Sequence, residues 1–347
     1  MRFKLLGKSG LRVSELCLGT MTFGEVWGWG ASREESKKIF DAYTNAGGNF
    51  IDTSVNYTDG VSEEFVGEFT KAEREHFVIA TKYTLTKPEQ KDPNQGGNSR
   101  KNMRHSVERS LKRLQTEYID LLYLHMWDFF TPVEEVLRGL DDLIRQGKVN
   151  YIAISDTPAW IVAEANARAE LRGWSRFVGL QVPYSLRQRS IERAELPMAK
   201  HWDMAVMPFA LLGGGTLTGK YLQKDGGPKR YDIEELPESL VALIEEVETV
   251  AREAGRTPSQ VAINWVRQQQ ERALIVPILG ARTLEQVMDN LACLEWELSE
   301  EQLQRLDEAS KISYDFPLGW LEGAREYVYG KTYDLVDPHN ERRFPKM

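Results

Sequence analysis

Four residues with complementary chemistry end or follow short apolar runs in this 347-residue chain. Asp52 lies in Phe50-Ile51-Asp52-Thr53-Ser54-Val55-Asn56, with Tyr57 directly after it; Lys82 closes Ile79-Ala80-Thr81-Lys82, and His125 closes Leu122-Tyr123-Leu124-His125. A phenol beside an ammonium, a carboxylate and an imidazole can deliver a proton to a carbonyl oxygen as hydride reaches the carbon. Carbonyl reduction needs those parts: a hydride donor, a proton donor and a polarising group at the oxygen. Tyr57 is the candidate acid. A free phenol titrates at about 10, and an adjacent Lys82 cation is expected to lower that value while Asp52 keeps Lys82 charged. His125 is placed to hydrogen-bond the substrate oxygen. Taken singly, each residue has a plainer reading: surface packing for the tyrosine, a helix cap for the aspartate, a solvated lysine, a core histidine. Their joint placement at successive strand ends carries the inference.

Short apolar runs alternate with longer amphipathic segments from about residue 15 to residue 293. Eight of the runs read as strands: Glu15–Gly19, Asn49–Asp52, Phe77–Lys82, Ile119–His125, Val149–Ser155, Phe177–Gln181, Met204–Pro208 and Leu274–Ile278. Strands followed by helices imply a parallel sheet whose carboxyl ends share one rim. Eight such units predict a closed (β/α)8 TIM barrel, with a doubly wound sheet as the structural alternative. Helix starts are announced by Ser32-Arg33-Glu34-Glu35, Thr131-Pro132-Val133-Glu134, Thr257-Pro258-Ser259-Gln260 and Thr283-Leu284-Glu285-Gln286, all of which fit the capping box. Gly147 suits a helix end. Met1–Leu11 is expected to form a hairpin across the barrel bottom, turning at Lys8-Ser9-Gly10. Thr84–Asn98 reads as a long loop on the functional face. Residues 311–347 are aromatic and Gly-rich with no helical period, and are expected to pack over the barrel mouth. The whole chain reads as one domain, with a core at about 12–294 and a C-terminal extension at about 311–347.

Composition narrows the function classes. The net charge of −8 argues against a nucleic-acid partner, and the apolar fraction of 41% is that of a soluble protein. No apolar run approaches the roughly 20 residues needed to span a bilayer. The start lacks a secretory pattern, and Cys17 and Cys293 read as buried free thiols in a reducing compartment, so a cytoplasmic location is expected. The five histidines show no metal-ligand spacing, so no metal is expected.

With these residues in hand, the chain resembles the aldo-keto reductases, (β/α)8 oxidoreductases that use NADPH without a Rossmann domain. The resemblance runs from about Leu5 to Leu294, and it includes the opening Leu18-Gly19-Thr20-Met21-Thr22-Phe23-Gly24. It implies that Asp52, Tyr57, Lys82 and His125 form the family's catalytic tetrad. Within the family, His125-Met126-Trp127-Asp128, Ser155-Asp156-Thr157-Pro158-Ala159-Trp160 and Tyr329-Gly330-Lys331-Thr332-Tyr333-Asp334 are similar to the aryl-alcohol dehydrogenase branch.

The same resemblance implies an NADP(H) site. Gly19, Thr20 and Met21 match the segment beside the nicotinamide ribose, and Asp52 adjoins it. Ser155 and Gln181 match the pair that hydrogen-bonds the carboxamide, with Asp156 beside them, and Phe209 matches the aromatic that stacks on the ring. The run through Ala210, Leu212, Gly213, Gly215 and Lys220 resembles the loop that wraps the pyrophosphate, where glycines admit the phosphates to the backbone. Gly280, Arg282, Gln286 and Asn290 match the adenosine-phosphate end. A helix start offers unpaired N–H groups to an anion there, and Arg282 offers a planar fork. Many relatives carry Asn where this chain has Asp156, which implies different carboxamide contacts here; some carry Lys-Ser where it has Gly280-Ala281, which shifts the NADP preference onto Arg282 and Gln286. Trp27, Trp29 and Trp127, with Tyr57 and His125, are the candidate substrate contacts. The expected activity is reduction of small carbonyl compounds, aromatic aldehydes foremost. The alternative is a cofactor-sensing binding subunit like the potassium-channel beta subunits, which share the fold.

Overall fold

The N-terminal strands β1 (Phe3–Leu5) and β2 (Arg12–Ser14) pair antiparallel, with Phe3 opposite Ser14. In this computed structural model, which describes residues 1–222 and 236–335, the hairpin turn spans Leu6 to Leu11, so its second strand lies beyond the expected bound at Leu11. Gly7 adopts φ +56°, and a Cβ there would meet the Val178 carbonyl oxygen at 2.3 Å, so only glycine fits the close approach to the barrel floor. Lys8 N–H donates to the Asp203 carbonyl at 2.7 Å, fastening the turn to the loop that precedes a barrel strand.

The apolar runs then become the parallel strands β3 (Cys17–Gly19), β4 (Phe50–Asp52), β5 (Val78–Tyr83), β6 (Ile119–Leu124), β7 (Val149–Ser155), β8 (Phe177–Pro183) and β9 (Ala205–Phe209). From β4 onward each pairs with its predecessor in order. The eighth strand was expected as one run, Leu274–Ile278. It is instead two pieces, β10 (Leu274–Ile275) against β9 and β11 (Ile278–Gly280) against β3. Pro277, which has no N–H to give to a ladder, interrupts it. Across the break, Val276 N–H donates to the Val206 carbonyl and Cys17 N–H to the Pro277 carbonyl, both at 2.8 Å, so the ring closes through this segment. The architecture is a (β/α)8 barrel.

Side chains alternate between two buried layers, as the period of two in a strand requires. Phe50, Val78, Leu121, Tyr123, Ala153 and Met207 fill the barrel interior, where Leu6 and Val13 of the hairpin join them from below. The opposite faces meet a ring of helices: α1 (Arg33–Asn45), α2 (Val61–Thr70), α3 (Arg100–Arg113), α4 (Val133–Arg145), α5 (Ala159–Arg172), α6 (Glu195–His201), α7 (Glu238–Ala254), α8 (Pro258–Arg267) and α9 (Leu284–Leu291). In α4 the buried residues Val136, Leu137, Leu140 and Leu143 recur at helical spacing and bury one stripe.

Ser32, Thr257 and Thr283 cap α1, α8 and α9, but the return bond of the expected capping box is not made: Glu35 accepts from Leu284 N–H, Gln260 donates to Asp289 and Gln286 accepts from Arg282 N–H. Thr131 does not cap α4, whose first residue is Val133 after Pro132. Asp128 accepts from Phe130 N–H, Thr131 N–H and the Thr131 hydroxyl, and that tight turn takes the threonine away from the helix. Gly147, at φ +71°, ends α4 as expected. Cys17 and Cys293 are buried free thiols. Among the described residues no helix is long and apolar enough to cross a membrane.

After α10 (Glu300–Ala309), the extension is fastened to the loop leaving the carboxyl end of β8. The Tyr314 hydroxyl donates to Glu192 at 3.1 Å, and Arg193 donates to the Ser313 carbonyl at 2.8 Å. Two short helices follow, α11 (Leu318–Gly323) and α12 (Arg325–Tyr329), where the sequence offered no helical period. Phe316, Trp320 and Tyr327 there are exposed. Residues 223–235, and 336–347 of the extension, lie outside the described residues.

Candidate active site

The barrel brings the four candidates together at the carboxyl ends of β4, β5 and β6. Asp52 is the last residue of β4, Lys82 the last but one of β5, and His125 follows β6. Tyr57 starts a tight turn after β4, with its N–H donating to the Ser54 carbonyl at 3.1 Å. Thr58 and Asp59, at φ +44° and +59°, hold left-handed backbone, a strained state for a β-branched threonine. Packing enforces it: the buried Thr58 hydroxyl donates to the Phe23 carbonyl at 2.6 Å and accepts from Ser62 N–H at 3.1 Å. From outside, Arg113 donates to the Val55 carbonyl at 2.8 Å and pairs with the buried Glu63 at 3.2 Å. The tyrosine therefore sits on a loop pinned from both sides.

Lys82 is fully buried. Its ammonium donates to Asp52 Oδ1 at 2.5 Å and to the Thr53 carbonyl at 2.8 Å, and lies 4.6 Å from the centre of the Tyr57 ring. Gln181 Nε2 donates to the other Asp52 oxygen at 2.8 Å, so both carboxylate oxygens are engaged. Burial would depress Lys82, but the Asp52 and Tyr57 charges outweigh it and hold the ammonium above its usual range. Burial pushes Asp52 upward against the pull of Lys82. For Tyr57 the expectation needs correction. Lys82 does pull the phenol down, but burial is the larger effect and the net shift is upward. At neutral pH the phenol thus keeps the proton that a general acid needs. The His125 ring meets the Tyr57 ring edge-on at 5.9 Å. Burial, then Lys82, drives the imidazole well below its usual value, so it is neutral at pH 7.

The candidate cofactor residues line the same rim. Ser155 and Gln181 are direct neighbours across β7 and β8. The Ser155 hydroxyl is buried without a hydrogen-bond partner, the kind of orphan that a polar ligand satisfies. Asp156, at φ +38°, follows it, with burial pushing its carboxyl up to about 6. Phe209 ends β9 and is half-buried. After it, Ala210, Gly213, Gly214 and Gly215 all take positive φ, between 56° and 90°, and the Lys220 side chain folds back over Gly215. Leu212 is half-buried beside them. Arg187, exposed, donates to the Gly213 carbonyl at 3.2 Å and was not foreseen. Gly19 and Met21 are partly accessible, whereas Thr20 is buried with its hydroxyl engaged by the Asp52 carbonyl at 2.9 Å and by Ser62 at 2.8 Å.

At the other end, Gly280 is exposed and Arg282 half-exposed. Gln286 accepts from Arg282 N–H at 2.8 Å, and the buried Asn290 donates to the Gly280 carbonyl at 3.2 Å, so these two amides shape the loop. Among the tryptophans, Trp27 stands 5.8 Å from Trp29 on the rim. Trp127 is 9% exposed and belongs to the apolar core, leaving little of it to line a pocket, while Met126 beside it is exposed. Sequence reading also missed Ser54, whose hydroxyl contacts His125 at 3.2 Å. Its position two residues after Asp52 was the available signal.

The family model described as "Aldo/keto reductase family" matches residues 15–311. Norsolorinic acid reductase B of Dothistroma septosporum is 38% identical over 334 residues, covering 92% of this chain and 84% of that protein. The aryl-alcohol dehydrogenase [NADP(+)] of Phanerodontia chrysosporium is 37% identical, covering 89% and 85%. A putative aryl-alcohol dehydrogenase of Saccharomyces cerevisiae is 34% identical, covering 91% and 88%. The chain belongs to the aldo/keto reductase family of oxidoreductases.

Proposed function

We propose that this protein is a cytoplasmic NADPH-dependent reductase of aldehydes, aromatic ones foremost, and of some ketones. The observation that carries the reading is the Lys82 ammonium, paired to Asp52 and lying against the Tyr57 ring at a barrel rim. Relatives named for norsolorinic acid reduction and for NADP(+)-linked aryl-alcohol oxidation support the substrate and cofactor classes.

The rim fits a nicotinamide dinucleotide on its own chemistry. Ser155 has a buried hydroxyl without a partner, Gly213 to Gly215 hold left-handed backbone beside the Lys220 side chain, and Arg282 stands at a helix start. Ser155, Asp156 and Gln181 would hold the nicotinamide end, Phe209 its ring, Leu212 to Lys220 the pyrophosphate, and Arg282 and Gln286 the 2′-phosphate. When bound, the cofactor supplies or accepts the hydride.

Tyr57 donates its phenolic proton to the carbonyl oxygen, and the adjacent Lys82 ammonium stabilises the phenolate left behind. His125, neutral, orients that oxygen by a hydrogen bond from its ring. Asp52 keeps Lys82 charged and fixed. Trp27 at the rim provides apolar area for an aromatic substrate. A steady-state assay of NADPH consumption with benzaldehyde tests the reading. Turnover that depends on the aldehyde is expected; tight NADPH binding with no turnover across a panel of carbonyl compounds would instead favour a cofactor-sensing binding protein.

A further inference from the structure

The His125 ring has one nitrogen facing the protein. Nδ1 lies 3.2 Å from the buried Ser54 hydroxyl, which donates in turn to Asn56 Oδ1 at 2.7 Å. A neutral imidazole carries one N–H, and the partner of one nitrogen fixes what the other can do. A serine hydroxyl has one hydrogen. Donated to Asn56, it leaves the serine oxygen to accept from Nδ1–H, and Nε2 is bare. Donated to Nδ1, it leaves the ring hydrogen on Nε2, and Asn56 must then offer its NH2 to the serine oxygen. The two ends of an amide occupy nearly the same space, so half a turn of the Asn56 side-chain amide exchanges the two states with little movement of other heavy atoms.

The difference is chemical. A carbonyl oxygen only accepts hydrogen bonds, so it needs Nε2–H. An alcohol hydroxyl can donate, so it is also held by a bare Nε2. We propose that Ser54 and Asn56 form a tautomer selector for His125, with the amide of Asn56 setting whether the ring presents Nε2–H to a carbonyl or bare Nε2 to an alcohol. Both are positioning residues acting through the histidine. This rests on the proposed reductase reading for its consequence, but not for its existence. An enzyme cannot alter the overall equilibrium, so the selector acts on the relative binding of aldehyde and alcohol rather than on the direction of net reaction.

Asn56→Asp tests it, because an ionised carboxylate only accepts and so holds the Ser54 hydrogen. The first readout is the pair of ¹⁵N shifts of the His125 ring in the cofactor-free protein, which report the tautomer without any turnover. The variant is expected to show the Nδ1–H form alone, and Ser54→Ala is expected to shift the wild-type tautomer ratio. The second readout is binding of benzaldehyde against benzyl alcohol, each with the cofactor form appropriate to it. Losing one neutral hydrogen bond should weaken aldehyde binding by about three- to tenfold while alcohol binding holds or improves. A His125 tautomer unchanged in both variants, each with its wild-type melting temperature, would overturn the selector. Altered ring shifts with equal losses for aldehyde and alcohol would overturn its link to substrate. Absence of turnover in the wild type would refute the reductase reading and leave the ¹⁵N result standing.

Discussion

Glu35 on α1 places its Oε1 2.7 Å from the backbone N–H of Leu284, the first residue of α9. A helix start attracts anions, and here the chain's own carboxylate has taken one of the available N–H groups. The bond from Leu284, helped by Lys38, holds the Glu35 carboxyl below its usual range, so it is ionised at neutral pH. If the 2′-phosphate of NADPH docks beside Arg282, it meets a like charge. Glu35→Gln should therefore tighten NADPH by roughly two- to fivefold, a helix-terminus charge effect, and leave NADH nearly unchanged. Arg282→Ala should do the reverse, weakening NADPH by about one to two orders of magnitude through lost charge-assisted bonds with little effect on NADH. Dissociation constants for both cofactors with both variants decide it. Equal changes for NADPH and NADH would show that neither residue reads the 2′-phosphate.

Tyr57→Phe keeps the ring that packs against Lys82 and His125 but removes the proton donor. Turnover should fall by about 10² to 10⁴, the usual worth of a positioned general acid. The dissociation constant for NADPH should stay close to that of the wild type. A variant that keeps most of its turnover would remove Tyr57 from the acid role.

Lys82 and Asp52 form a buried pair, 0% and 4% exposed, so removing one partner strands the other. Lys82→Met should abolish most turnover and also lower stability, by about 3–5 kcal/mol as for other broken buried pairs. Adding Asp52→Asn to that variant should restore part of the stability and none of the activity. Denaturant unfolding of the two single variants and the double would read this directly. Additive losses of stability would mean that the pair is not coupled.

The sequence made the barrel legible because seven of its strands are continuous apolar runs whose neighbours in sequence are neighbours in the sheet. It misjudged the eighth because Pro277 breaks the ladder while its flanks still pair on both sides. Asp52, Lys82 and His125 could be placed from strand ends alone. The net direction of the Tyr57 shift could not, because it is set by burial on a loop whose left-handed Thr58 and Asp59 leave no pattern in sequence. The Glu35 contact was hidden for a similar reason. Within α1 it reads as the far end of a capping box with Ser32, yet it bonds a residue 249 positions away.

Asp156 offers a test of the rim's electrostatics by pH. Burial raises its carboxyl from 3.8 to about 6, with Lys82 opposing. Between those values the folded chain holds a proton that the unfolded chain has released. Stability contributed by this group is therefore full below about pH 4, falls as pH rises toward 6, and stays lost above that. Asn has nearly the same shape, carries no charge and also tolerates the φ of +38° found at this position. Asp156→Asn should thus be more stable than the wild type at pH 7–8, with the advantage shrinking steadily as the pH is lowered through 6 and nearly gone at 4. Melting temperatures of both proteins across that range provide the check. A gap that is constant with pH, or that widens toward acid, would show that Asp156 is not held in its protonated form by the fold.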